Sequence, residues 1–149
     1  MSRHHLAQIN VARLLAPIDA PETADFVAAL APVNARADAA PGFVWRLQTE
    51  SGDATSVRVS DDPLLIVNLT VWESVEALEG FAYREASHLA VLRRRREWFE
   101  RPAAAATALW WVPSGHLPTL DEALDRLAVL RARGPSPDAF TFRERFPAP

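Results

Sequence analysis

The chain has 149 residues, of which 49% are hydrophobic and 23% charged, and its formal net charge of -3 gives no electrostatic footprint for nucleic acid. It contains no cysteine and all its basic residues are arginine, which excludes disulfides, zinc–thiolate sites, cysteine nucleophiles and lysine Schiff bases. No apolar run approaches the roughly 20 residues that span a bilayer, and the N-terminus lacks the apolar core of a signal peptide. We therefore expect a cytoplasmic protein without membrane or nucleic-acid partners.

The first half of the chain predicts a strand, a helix and a second strand. Residues 6–14 alternate in the way of a half-buried strand. An acidic cap at Asp19 begins a helix that runs to about residue 40, and Pro32 inside it predicts a kink or a break. Residues 43–49 predict the second strand, and the polar stretch after them has room for a short extra strand at 55–59.

The second half predicts two strands and two helices. Residues 64–72 are β-branched and apolar, which makes them the strongest strand prediction in the chain. Ser74 is placed to be the N-cap of one long helix that extends to about residue 99. Residues 108–113 predict the fourth strand, and Thr119 and Glu122 have the spacing of a capping box for a last helix.

This order of elements is β-α-β-β-α-β followed by a C-terminal helix, which is the ferredoxin-like pattern of an α+β protein. Neither an internal repeat nor a linker divides the chain. We expect one domain over residues 1–149, with the C-terminal helix at 119–133 and the tail at 134–149 packed on it. The tail carries three phenylalanines and is too aromatic for free disorder.

The predicted strands carry large apolar side chains on both faces of the sheet. Regular alternation turns Phe43 and Trp45 to one face and Val44 to the other, and the adjacent Trp110 and Trp111 also point apart. A sheet that is apolar on both faces needs two covers. We predict a homodimer that pairs sheet against sheet, as in a dimeric α/β barrel. The alternative is that the C-terminal helix and the tail supply the second cover within one chain.

One stripe of the long predicted helix carries a histidine among apolar side chains. Its members recur at three, four or seven residues and so share one face. They are Leu78, Phe81, Glu85, His88, Leu92 and Phe99. His88 therefore lies on the buried side, one turn after Glu85. Such a histidine is a candidate general acid–base group, haem ligand or hydrogen-bonding partner of a substrate. The alternative is a core histidine held by Glu85.

Amide side chains interrupt the apolar pattern of two strands. Gln8 and Asn10 share one face of the first strand, and Asn68 and Thr70 share one face of the third. These strands are neighbours in a ferredoxin-like sheet, so Asn10 and Asn68 are expected to meet. An unpaired buried amide costs roughly 1–3 kcal/mol. The two amides therefore either bind a ligand or bind each other.

Arginines give weaker signals at two places. Arg46 projects from the second strand, where a solvated position at the rim is favoured over pairing with an anion. The run of four arginines at 93–96 spreads round most of a helix circumference and is not a single-faced patch. We interpret the run as a source of salt bridges and solubility.

Together these residues predict a small-molecule cavity between the sheet and the helices. The predicted catalytic residue is His88, and the predicted ligand-binding residues are Asn10, Trp45, Asn68, Trp72, Phe81 and Glu85. No metal-binding histidine spacing is present, so no metal site is predicted unless haem binds at His88. The three hypotheses are an enzyme, a non-catalytic ligand-binding dimer, and a structural domain whose aromatic side chains fill the cavity.

Several runs, spread over essentially the whole chain, together resemble the DUF3291 family, which is named for having no known function. They are HLAQIN at 5–10, GFVWRL at 42–47, NLTVWES at 68–74, His88 with RREWF at 95–99, LWWVP at 109–113, GPS at 134–136 and AFTF at 139–142. The family is grouped with the dimeric α/β-barrel proteins. The resemblance therefore implies a ferredoxin-like fold and a homodimer.

The wider superfamily contains cofactor-free monooxygenases of the antibiotic-biosynthesis type and haem-degrading enzymes. The haem degraders are similar to this chain in having an asparagine on the first strand, here Asn10, and a histidine on the second helix, here His88. They usually place a tryptophan near the start of that helix, where this chain has Phe81. The resemblance implies an oxygenase-like enzyme that acts on a small molecule, with haem as the candidate cofactor, or a non-catalytic homodimer.

Overall fold

A computed structural model describes residues 3–48 and 61–149 of the chain. The short strand predicted at 55–59 lies outside the described residues. Strands in the described part have the expected places: β1 at His4–Arg13, β2 at Phe43–Arg46, β3 at Leu65–Trp72 and β4 at Thr107–Pro113.

The four strands form one antiparallel sheet in the order β2-β3-β1-β4. β1 is central and pairs with both β3 and β4, so the strand that comes first in the chain lies inside the sheet. This order and the antiparallel pairing confirm the predicted α+β, ferredoxin-like fold.

The helices that follow these strands are shorter and more numerous than predicted. They are a 3-10 turn at Pro21–Thr23, α1 at Ala24–Asp38, α2 at Val75–Arg84, α3 at Ala86–Arg93, α4 at Arg95–Trp98 and α5 at Leu120–Arg133. The prediction of one long helix from Ser74 to residue 99 is wrong, because the backbone turns extended at Glu85 (φ -74°, ψ 124°) and leaves the helical geometry again at Arg94.

Helix α1 runs through Pro32 without a break. A proline in a helix leaves the carbonyl four residues earlier without its hydrogen bond, here that of Ala28. Both residues are exposed, so water can satisfy that carbonyl.

Two of the three predicted N-caps, Ser74 and Thr119, are confirmed, whereas the prediction that Asp19 caps the first helix is wrong, because the 3-10 turn begins after Ala20 and α1 after Thr23. The Ser74 hydroxyl accepts a hydrogen bond from the backbone N–H of Ala77 at 3.1 Å. The Thr119 hydroxyl accepts one from the backbone N–H of Glu122, also at 3.1 Å. The Glu122 carboxylate does not complete a capping box but accepts from the Trp110 indole N–H at 3.1 Å, which ties α5 to the sheet.

One sheet face, here called the α5 face, is covered by α5. It carries Ala7, Ile9, Val11, Val67, Leu69, Val71, Ala108, Trp110 and Val112, all buried. Ala123, Leu127 and Leu130 of α5 pack on it. The second cover of the sheet is therefore supplied within one chain, which was the alternative to a dimer that pairs sheet against sheet.

The opposite sheet face, here called the cavity face, carries the even-numbered residues of β1 and β3. Two separate apolar clusters cover its ends. At one end α2 packs on Leu6 and Trp72 together with Phe140 of the tail. At the other end Phe26 of α1 packs on Leu14 with Trp98. The polar side chains of the face lie between these two clusters.

Candidate functional site

A cavity of about 930 Å³ lies between the cavity face and helices α1, α2 and α3. Five of the predicted site residues line it: Asn10, Asn68, Trp72, Phe81 and His88. A ligand cavity usually measures roughly 300–1,000 Å³, so this space is large enough for an organic molecule. The hypothesis of a cavity filled by aromatic side chains is not supported.

The tautomer of His88 is set by a backbone carbonyl. His88 Nδ1 lies 2.7 Å from the carbonyl oxygen of Ala82, which only accepts, so Nδ1 carries the proton. Nε2 therefore has a lone pair, and within the described residues it has no hydrogen-bond partner. Burial lowers the pKa of His88, although the Ala82 hydrogen bond and the charge of Glu85 oppose this. The ring is thus neutral near pH 7, with a free lone pair at the cavity.

Glu85 does not hold the imidazole ring of His88. Its carboxylate accepts from the backbone N–H of His88 at 3.0 Å and from the Ser87 hydroxyl at 3.1 Å, which makes it the N-cap of α3. The backbone hydrogen bond from His88 also holds the pKa of Glu85 below its usual value. The prediction that Glu85 faces the ligand is wrong in this structure, because the chain breaks at Glu85 and turns its carboxylate to the helix end.

A chain of hydrogen bonds crosses the floor of the cavity. The Trp72 indole N–H donates to the Thr70 hydroxyl at 2.9 Å, and that hydroxyl donates to Gln8 Oε1 at 2.8 Å. An indole N–H only donates, so the one hydroxyl proton of Thr70 goes to Gln8 and fixes the Gln8 amide orientation. The NH₂ group of Gln8 then has no partner among the described residues. It is a positioned donor on a floor that lines the cavity.

Asn10 and Asn68 are directly opposite each other in the β1–β3 register, as the sequence predicted. They do not bind each other, because Asn10 Nδ2 donates to the Thr107 hydroxyl on β4 at 2.6 Å. Asn68 is exposed although it lies within β3, and its amide has no partner in the described part of the chain. Of the two alternatives, self-pairing is wrong and ligand binding stays a prediction.

The aromatic side chains of the site form a row that ends at His88. The ring of Phe43 meets that of Trp72 edge-on, with 5.4 Å between the ring centroids, and Trp72 stacks on Phe81 with a centroid separation of 5.5 Å. The centroids of the Phe81 and His88 rings are 5.1 Å apart. Edge-to-face and offset pairs at these distances are favourable. The row gives one wall of the cavity an apolar, aromatic surface.

The prediction that Trp45 lines the cavity is wrong. Trp45 packs against the cluster under α5, whereas Phe43 packs on the cavity side. The cause is an irregularity in the β2–β3 register, where Phe43 pairs with Trp72 but Trp45 pairs with Val71. The extra residue at this β-bulge reverses the alternation that the prediction assumed.

Some cavity residues were not predicted from the sequence. Gln8 and Thr70 were noted only as neighbours of the two asparagines on the same strand faces, and this shared face was the signal for them. Arg95 and Arg96 line the cavity although the run at 93–96 was interpreted as a source of salt bridges. Arg94 fits the salt-bridge part of that interpretation, because it pairs with Asp25 and Glu97. Arg46, placed at a solvated rim by the sequence, has only 10% of its side chain exposed and pairs with Asp38 at 2.8 Å.

Residues 5–149 match the family model described as Domain of unknown function (DUF3291). The chain belongs to the DUF3291 family. No curated protein matches it. Among the described residues of this DUF3291 protein, no helix is long and apolar enough to cross a membrane and no cluster of His, Asp and Glu is arranged to hold a metal ion.

Three solved bacterial proteins with the same fold match this chain over nearly the whole of their own length. One is a Nitrosomonas europaea protein named for an inferred role as an antibiotic biosynthesis monooxygenase, with 14% identity, coverage of 80% of this chain and 97% of that one, and a TM-score of 0.50. A Pseudomonas aeruginosa protein has 18% identity, coverage of 79% and 98%, and a TM-score of 0.50. A Mycobacterium tuberculosis protein has 16% identity, coverage of 77% and 99%, and a TM-score of 0.50. At such identities the likeness concerns the fold alone.

Proposed function

We propose that this DUF3291 protein binds a small organic molecule in the cavity and acts on it as an enzyme, with His88 as the proton-transfer group. The observation that carries this proposal is the free lone pair of His88 Nε2 on a ring that is neutral near pH 7 and lines the cavity. A base must have its lone pair unoccupied and within reach of substrate, and a surface or salt-bridged histidine would not meet this condition.

The surrounding residues support proton removal. When Nε2 takes a proton from the substrate, the Ala82 carbonyl, which accepts from Nδ1, stabilises the resulting imidazolium. The Gln8 NH₂ group and the amides of Asn10 and Asn68 provide hydrogen bonds for an oxygen atom of the substrate. The aromatic row from Trp72 to Phe81 packs against the substrate ring.

The reaction class that fits this arrangement is cofactor-free oxygenation of an aromatic ketone or phenol with an acidic C–H group. His88 removes the proton, and the carbanion reacts with O₂. For a CH₂ group the balance is R₂CH₂ + O₂ → R₂C=O + H₂O, in which the substrate supplies all four electrons. The antibiotic biosynthesis monooxygenase name borne by the Nitrosomonas protein of the same fold is consistent with this class.

Haem is the alternative cofactor, and His88 is the residue that would hold its iron. A haem-ligating histidine binds iron through one ring nitrogen while the other donates to a carbonyl or carboxylate, and the His88–Ala82 hydrogen bond already has this form. Bound haem would supply oxygen activation. A haem titration of the protein and of His88→Ala, followed by the Soret band, separates the two: a saturable shift that the variant loses favours haem, and no shift favours the cofactor-free reaction.

Filling the cavity tests whether it binds small molecules at all. Ala29 of α1 lines the cavity, whereas the neighbouring Ala28 is exposed outside it, so Ala29→Trp and Ala28→Trp form a matched pair. With the neutral fluorescent probe N-phenyl-1-naphthylamine we expect binding to the parent chain and Ala28→Trp, and loss of binding in Ala29→Trp. Equal binding by all three, or by none, would contradict the proposal.

Turnover separates the enzyme from a non-catalytic ligand-binding protein, which would use the same cavity. Oxygen uptake is measured with a panel of aromatic ketones that carry an acidic CH₂ group. General base catalysis contributes about 10²–10⁴-fold, so His88→Ala is expected to lose that factor while it keeps binding the neutral probe. Uptake at the parent rate in His88→Ala would remove His88 from the reaction.

A homodimer and a cytoplasmic location belong to the same proposal. The α5 face is covered within one chain, so the interface of that dimer would have to lie elsewhere. The exposed large apolar residues of the described part, Leu15, Val27, Tyr83 and Leu117, are the side chains available to it.

A further inference from the structure

Arginines at the cavity fall into two groups by their partners. Arg13 and Arg46 line the cavity but pair with carboxylates, Arg13 with Asp62 and Glu100 at 2.7 Å each. A second group lines the cavity without any carboxylate partner in the described part of the chain. Its members, here called the rim arginines, are Arg95, Arg96, Arg101 and Arg131.

The rim arginines donate hydrogen bonds to backbone carbonyls. Arg95 Nη1 donates to the carbonyl of Leu92 at 2.7 Å, and Arg131 Nε donates to that of Ala105 at 2.7 Å. A carbonyl orients a guanidinium but does not neutralise its charge, and arginine stays protonated at all ordinary pH values. Arg95, Arg96 and Arg101 line the same cavity, and desolvation, followed by the like charges of Arg101 and Arg95, lowers the pKa of Arg96.

The nearest carboxylate does not balance this charge. Glu100 lines the cavity too, but its carboxylate is bound by Arg13, which also binds Asp62. Arg13, Asp62 and Glu100 together carry one net negative charge against the four positive charges of the rim arginines. In a chain whose net charge is -3, the rim therefore keeps a net positive charge. Such a rim raises the local concentration of anions and provides forked donors for carboxylate, sulfonate or phosphate oxygens.

We propose that the ligand of this cavity is an aromatic molecule with an anionic group, whose ring packs against Phe81 and whose anion binds to Arg95 and Arg96. The inference rests on the proposed small-molecule cavity and names the class of molecule that enters it. His88 in α3 and Arg95 at the start of α4 both line this cavity. The anion is then held at the rim while the far ring reaches Nε2 of His88.

Two probes that differ by one charge test this. 8-Anilinonaphthalene-1-sulfonate carries a sulfonate, and N-phenyl-1-naphthylamine is the same ring system without it. Both are titrated by fluorescence into the full chain, the double variant Arg95→Gln/Arg96→Gln, and Arg93→Gln/Arg133→Gln, which removes two exposed arginines that do not line the cavity. Circular dichroism melting checks that all three are equally folded.

We expect the double variant Arg95→Gln/Arg96→Gln to raise the Kd of the sulfonate probe by about 5–20-fold, as for the loss of two partly exposed ion pairs. The Kd of the neutral probe is expected to stay within about twofold of the parent value. The control variant changes neither by more than about twofold, and added salt reduces the preference of the parent chain for the sulfonate. Equal weakening by the rim and control variants, or no preference for the sulfonate, overturns the anionic class while the neutral probe still reports the cavity. If neither probe binds the parent chain, the small-molecule proposal itself fails.

Discussion

At the scale of single residues, the site depends on which atoms are already occupied by hydrogen bonds. The carbonyl of Ala82 accepts a hydrogen bond from Nδ1–H of His88, so the proton stays on Nδ1 and Nε2 is free. The Thr70 hydroxyl donates to the side-chain carbonyl of Gln8 and leaves the NH₂ group of Gln8 free. In both cases a fixed neighbour decides which end of an ambiguous side chain can meet a substrate.

The depressed pKa of His88 has a consequence for stability. Because the unfolded chain binds a proton at this position at a higher pH than the folded chain, the free energy of unfolding falls as the pH drops below the ordinary histidine pKa. We expect His88→Gln to lose less stability than the parent chain between about pH 7.5 and about pH 5. Urea unfolding at both values measures this, and a difference between the two proteins that is the same at both values would show that His88 is not buried as described.

The Trp72–Thr70–Gln8 chain is expected to contribute to stability as well as to the site. Thr70→Val keeps the shape of the side chain but leaves the buried indole N–H of Trp72 and the Gln8 carbonyl without a partner. The cost is about 1–3 kcal/mol in the free energy of unfolding. Thr70→Ser retains the hydroxyl, so we expect it to recover most of the lost free energy of unfolding and to bind the neutral probe as the parent chain does. A Ser variant as unstable as the Val variant would mean that packing, not hydrogen bonding, matters here.

At the scale of elements, the break at Glu85 and the turn at Gly42 position the site. Because the chain breaks at Glu85, α3 begins with its own N-cap, and the His88 ring reaches the carbonyl of Ala82 at the end of α2. Gly42 has φ 81° and lies against α2, where an added Cβ would come within 2.5 Å of the Ala77 Cβ. The turn before β2 and the helix that carries Phe81 are therefore in contact through this glycine.

Two glycine substitutions separate backbone strain from crowding. Gly115 has φ 92° with open space around it, so Gly115→Ala is expected to cost about 1–2 kcal/mol for the left-handed conformation alone. Gly42→Ala adds the clash with Ala77, for a further 1–3 kcal/mol or so. Thermal unfolding of the two variants compares them. Equal losses would show that α2 moves away from the turn at no cost.

Much of the element order could be predicted from the sequence, because alternation in the strands and the caps at Ser74 and Thr119 are local signals. The two features that could not be predicted, the helix break at Glu85 and the bulge in β2, each depend on one residue that interrupts a regular pattern. Glu85 is an ordinary residue for a helix interior, and nothing in its own spacing indicates that its carboxylate will cap the next helix. The bulge in β2 is similar, since two-residue alternation is unchanged in the sequence and only the partner strand reveals it. Trp45 was assigned to the wrong face for that reason.

At the scale of the whole molecule, the C-terminal helix changes what the fold requires. A four-stranded sheet with helices on one face leaves the other face apolar, and here α5 covers it. Light scattering with size-exclusion chromatography tests the predicted homodimer: twice the mass of one chain would place its interface outside the α5 face, and the mass of one chain would contradict the dimer. Leu127→Asp, which puts a charge under α5, is expected to expose the α5 face and cause self-association in either case.

The central position of β1 affects how the chain reaches this fold. β1 leaves the ribosome before the other three strands of the sheet, yet both of its partners come much later: Ile9 pairs with Leu69 and Ala108. Its apolar residues therefore have no sheet to join until most of the chain has been made, and closing loops of this length slows folding. Until β3 and β4 have been made, the β1 segment exposes apolar side chains and unpaired backbone groups on both edges. Chaperones and other nascent chains bind such segments readily. The yield of folded protein should then depend on chaperones more strongly than the stability of the finished molecule would suggest.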